Sequence, residues 1–71
     1  MYAFTKSIRN DHHIRRFTIQ SSTAGWEVIE EQDSRVVRQA SYQDWHRVER
    51  ARRLFVNELN QLQESGWREE R

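Results

Sequence analysis

Between Ser41 and Gly66 the chain runs for 24 residues without a glycine or a proline. No other feature constrains the fold as strongly. Ser41-Tyr42-Gln43-Asp44 matches a capping box, in which the serine hydroxyl accepts from the amide of Asp44 and the carboxylate reaches back to the serine amide. Asp44 also sets a negative charge at the positive end of the helix dipole. At the other end Gly66 suits a position that favours left-handed backbone, and Leu62 and Trp67 fall where a Schellman motif brings two side chains together. The spacing predicts a helix over residues 42–65. Trp45, Val48, Ala51, Phe55, Leu59 and Leu62 share one side of it, a stripe about 120° wide. Leu54 lies off the stripe, and His46, Arg47, Arg50, Arg53, Asn57, Asn60, Gln61 and Glu64 occupy the far side.

A helix with one apolar side needs a surface to cover it, and the upstream sequence reads as strands. Trp26-Glu27-Val28 alternates, and Arg35-Val36-Val37-Arg38 follows across Gln32-Asp33-Ser34, so 25–40 is a hairpin. Residues 14–20 form a third strand, with Ser21 to Gly25 as the connection. Tyr2, Phe4 and Ile8 share a parity that fits either a fourth strand turning at Asn10-Asp11 or an arm. The expected fold is α+β: a small antiparallel sheet of three strands, or four, packed against one long C-terminal helix. Residues 1–11 are an N-terminal arm or edge strand, 12–67 a single βββα domain, and 68–71 a charged tail.

With 71 residues the chain buries only about 60% of the surface its unfolded state exposes. It holds no cysteine, so neither a disulfide nor a thiolate-bound metal can supplement the core. Its longest apolar run is Leu54-Phe55-Val56, too short for a membrane span, and the cytoplasm is the expected compartment. Only Gly25 and Gly66 are available for a phosphate loop, and both fall at turns. Asp44 and His46 are two apart on the predicted helix and point to different sides. His12 and His13 face opposite ways on a strand, while His46 and Glu49 share a helix face without a third ligand. The expectation is a non-enzymatic protein with no cofactor and no metal site.

Eleven of the twelve basic residues are arginine. Arg15, Arg16, Arg35, Arg38, Arg47, Arg50 and Arg53 are the candidate anion or nucleic-acid contacts. Glu27, Glu30 and Glu31 on the central strand would cancel much of that field, for instance by pairing Glu30 with Arg38 across strands. The sequence pI of about 8.3 also lies below the range of phosphate-binding domains. Nucleic-acid binding is therefore the alternative. The strand–strand–strand–helix order is similar to that of plant AP2-type and integrase arm-binding modules; the likeness is one of element order, which does not transfer function.

The leading expectation is a self-associating interaction module. A helix of about 36 Å outlasts seven-residue strands of about 23 Å, so one end of the stripe would overhang the sheet. Leu54, Phe55, Leu59 and Leu62 are the candidate contacts of a homodimer, with Glu58 and Glu64 meeting Arg50 or Arg53 of the partner. The competing cover is the chain's own Tyr2, Phe4 and Ile8.

Overall fold

The computed structural model describes the backbone of residues 2–70 and the side chains of residues 4–70. Four strands follow one another as a meander: β1 (Tyr2–Asn10), β2 (His13–Ser22), β3 (Gly25–Gln32) and β4 (Arg35–Tyr42). Helix α1 (Trp45–Glu64) then crosses the sheet, and a two-residue strand β5 (Arg68–Glu69) ends the described chain. The sheet is antiparallel throughout, in the order β4-β3-β2-β1-β5. It thus has five strands where three or four were expected. Residues 2–10 are a full strand, and Arg68–Glu69 of the charged tail pairs with Ile8 and Arg9.

Each hairpin closes over two residues, which fixes the register and with it the face each side chain takes. Asp33 and Ser34 both have positive φ, 52° and 67°, as a hairpin turn matched to strand twist requires. Asp33 ties the turn down, accepting from the Ile14 amide at 2.8 Å and lying 2.9 Å from His13 Nδ1. The His13 contact and the Ile14 amide hold its carboxyl below the usual carboxylate range. His13 is thereby a turn residue, facing its partner across β2 and β3.

Phe17 and Ile19 of β2, Val28 of β3 and Ile8 of β1 fall on one face and meet Val48, Phe55 and Leu59 of α1. Phe17 and Phe55 pack edge to face at 4.8 Å. The other face carries no helix and is mostly polar, with Thr5, Ser7, Arg16, Gln20, Glu27, Glu31, Gln39 and Ser41 around Ile14, Ile29 and the buried Thr18, as antiparallel sheets allow.

Two expectations about the helix change. First, the predicted overhang does not arise. The strands run for 8 to 10 residues, about 26–34 Å, and α1 is 20 residues or about 30 Å. The N-terminal strand supplies the cover, with Ile8 in the core and Phe4 packed against it. The expected role of the Tyr2 side chain lies outside the described residues. Second, the helix begins later than the capping box implies. Asp44 is the N-cap, and its Oδ1 accepts from the His46 amide at 3.0 Å. Ser41 stays in β4 opposite Glu27, because the ladder continues through the pair of Tyr42 with Trp26. The C-terminus follows the expected Schellman pattern. Gly66 has φ 106°, Trp67 donates to the Leu62 carbonyl at 3.0 Å, and Gly66 donates to that of Gln63 at 3.2 Å.

Candidate interaction surface

The arginines separate into three groups. Arg15 and Arg38 are neutralised inside the molecule. Arg15 Nη2 donates to Glu30 Oε2 at 2.5 Å and to Glu58 Oε1 at 2.8 Å. Arg38 Nη2 donates to Glu30 Oε1 at 2.5 Å and lies 3.7 Å from Glu58 Oε2. The cross-strand pairing of Glu30 with Arg38 is thus present, and it forms the centre of a four-residue cluster drawn from β2, β3, β4 and α1. Burial by itself would lower the Arg15 pKa, but the hydrogen bonds to Glu30 and Glu58 outweigh it and hold the value above normal. Both guanidinium groups also lie over core rings, Arg15 at 5.4 Å from the Phe17 centroid and Arg38 at 5.9 Å from that of Phe55. Glu58 is committed within its own chain, so of the two acids expected to meet a partner's Arg50 or Arg53 only Glu64 stays exposed.

The second group lies on the sheet. Arg16 is on the uncovered face, where its Nε donates to Ser7 Oγ at 3.3 Å. Arg35 is exposed beside the β3–β4 turn. The third group is on the helix. Arg47, Arg50 and Arg53 are exposed, and among the described residues no carboxylate lies within 4.0 Å of any of them. Arg52 instead reaches along the sheet, 5.9 Å from the Phe4 ring, as a snorkelling side chain does.

The candidate self-association residues do not form one surface. Phe55 is 2% exposed and Leu59 5%, both inside the chain's own core, and Leu62 is half-buried against it. Leu54 alone is open, at 59%. Phe55 packs on Phe17 of β2, and Leu59 lies beside Phe4 and Lys6 of β1, the strand that was the competing cover.

The apolar surface that is open lies one strand away. β4 is hydrogen-bonded to β3 on one side and, among the described residues, has no strand on the other. Alternate residues of such an edge turn their N–H and C=O groups outward. Val36 and Val37 are 57% and 53% exposed. A register shift lies here: Glu31 opposes Val36 and Glu30 opposes Arg38, leaving Val37 as the extra residue of a bulge. Beyond the bulge, Arg38 to Tyr42 pair regularly. Between this half of β4 and α1 runs a groove lined by Arg38, Ala40, Tyr42, Arg47, Arg50, Ala51 and Leu54, with Val28 and Phe55 at its floor.

Arg47 and Arg50 border this groove, and the stretch of sequence around them is basic. Residues 35–54 carry six arginines against Asp44 and Glu49, a net charge of +4, while the rest of the chain has six bases against nine acids, or −3. The whole-chain value of +1 hides this division. Sequence reasoning placed the arginines but missed Tyr42, Val36 and Val37. The last strand of a meander is an edge by construction, and two adjacent valines between arginines on such a strand were the available signal.

Elsewhere, a polar crevice at the β1–β5 end is lined by Arg9, Asn10, Asp11, Arg68, Glu69 and Glu70, with Arg9 and Glu70 paired at 2.8 Å. Among the described residues, no three of His, Asp or Glu converge as metal ligands, and no helix is long and apolar enough to cross a membrane. No protein-family model matches the chain, and neither does any curated protein or solved structure.

Proposed function

We propose that the chain is a cytoplasmic, non-enzymatic interaction module whose docking surface is the open edge of β4 together with the groove between β4 and α1. One observation carries this reading: the regular half of an edge strand, Arg38 to Tyr42, lies beside the groove that exposed Leu54 borders. Such an edge accepts another chain by strand addition, with the ladder supplying affinity and alternate side-chain pockets supplying selectivity. Arg35 and the bulge blunt the first half of the edge, as natural sheets do to prevent indiscriminate pairing. The regular second half, next to the groove, is where a partner strand fits.

The non-enzymatic reading rests on how the polar groups are used. The most buried carboxylate, Glu30, is held by two arginines rather than facing a cleft. The cytoplasmic reading rests on composition, since a secreted domain this small would ordinarily carry cysteines.

Selection of a random peptide library against the full chain, with binders mapped by amide NMR shifts, tests the surface. The expected result is perturbation of β4 and the first half of α1. Shifts confined to the uncovered sheet face or to the β1–β5 end overturn the assignment. Light scattering over a concentration series tests the self-associating form of the same reading. A dimer that survives Leu54→Asp and Val37→Lys would show that copies meet elsewhere.

A further inference from the structure

Resting on that reading of β4, we infer that its occupant is an extended acidic segment of another polypeptide, bound as an added strand with an apolar side chain in the groove. The groove offers an apolar contact between Tyr42 and Leu54, with Ala51 leaving room beneath. Its rim carries Arg47 and Arg50, exposed and without a carboxylate partner among the described residues. Arg47 stands in the first turn of the helix, where the dipole disfavours positive charge, and Arg50 follows one turn on. A carboxylate arriving beside them relieves that repulsion and accepts from their forked donors.

A second copy of the chain fits less well. A second copy offers only its own β4 edge, which contains no acid to meet Arg47 and Arg50. A nucleic acid would satisfy the charge but not the edge. Its sugar–phosphate backbone cannot continue the alternating N–H and C=O ladder that the edge of β4 offers. An acidic polypeptide satisfies the charge, the apolar groove and the edge together.

Three probes separate these cases by fluorescence anisotropy on the full chain: a ten-residue peptide alternating glutamate and valine, its lysine–valine counterpart, and a single-stranded oligothymidylate. The acidic peptide should bind and the lysine peptide should not. Arg47→Gln with Arg50→Gln should weaken the acidic peptide roughly tenfold at low salt, with a smaller loss at higher salt. Arg16→Gln, on the uncovered face, should leave binding within about twofold as the control for overall charge. β4 amides should gain hydrogen-exchange protection in the complex. If both peptides bind β4 equally and the arginine pair has no effect, the acidic preference is overturned while the docking edge stands. If neither peptide protects β4, the edge itself is overturned. Oligothymidylate binding tighter than the acidic peptide, without β4 protection, overturns the inference in favour of a phosphate ligand.

Discussion

Leu54 and Phe55 are adjacent in sequence, similar in hydropathy and opposite in fate. At 100° per residue one step along the helix carries a side chain from near the centre of the apolar stripe to beyond its edge. Phe55 meets Phe17 at 4.8 Å, and Leu54 is 59% exposed beside the groove. Phe55→Ala should therefore cost about 3–5 kcal/mol, and Leu54→Ala about 0.5 kcal/mol or less. Urea unfolding of the two variants checks this, and similar midpoints would mean that the helix face is misplaced. The periodicity of the sequence was enough to place Phe55. It was not enough to say whether Phe55 faced the sheet or another copy, because a stripe specifies a direction and not an occupant.

At the scale of elements, the C-terminus of α1 was legible and the N-terminus was misread. Gly66 ends the helix by a local rule, the tolerance of positive φ, which needs nothing from the rest of the fold. The start depends on competition. Ser41 and Asp44 are both good caps, but Ser41 is held in the β3–β4 ladder and Asp44 is the first candidate beyond it. Asp44→Ala should thus cost about 1 kcal/mol, and Ser41→Ala only a few tenths of that. Thermal melts of the pair decide it. A larger loss from Ser41→Ala would mean that the helix extends to the capping box. β5 was missed for a related reason: two residues carry too little pattern to read, and they pair only because the Schellman turn returns the chain to the edge of β1.

For the molecule as a whole, the cluster of Arg15, Glu30, Arg38 and Glu58 joins three strands to the helix. The Glu30 side chain is 7% exposed and that of Arg15 16%, whereas that of Arg38 is 59% exposed. Removing Glu30 strands the buried Arg15 charge with Glu58 as its remaining partner. Glu30→Ala should cost about 3 kcal/mol, near the low end for a broken buried pair because Arg38 returns to water. Replacing Glu30 and Arg15 together by methionine should recover most of that, since no charge is then left buried. Denaturant unfolding of both variants is the measurement, and a loss below about 1 kcal/mol for Glu30→Ala would mean that the cluster is incidental to stability. The cluster also decides which arginines can meet a ligand. Of the seven candidates, it withdraws Arg15 and Arg38 and leaves Arg47, Arg50 and Arg53 exposed on the helix.

The sequence by itself determined the element types between residues 14 and 66, the face of the helix that is buried, the helix terminus at Gly66 and the pairing of Glu30 with Arg38. Each of these follows from spacing along the chain: period 3.6, period 2, a single backbone conformation, or a short hairpin register. Only the tertiary structure decided that β1 covers the far half of α1, that Glu58 completes the charge cluster, and that β4 is left as the open edge. Those outcomes depend on residues distant in the chain meeting in space, as Arg15 and Glu58 do across 43 positions. Local pattern cannot rank such meetings, because several partners offer a surface of the same polarity and only one arrangement packs them all.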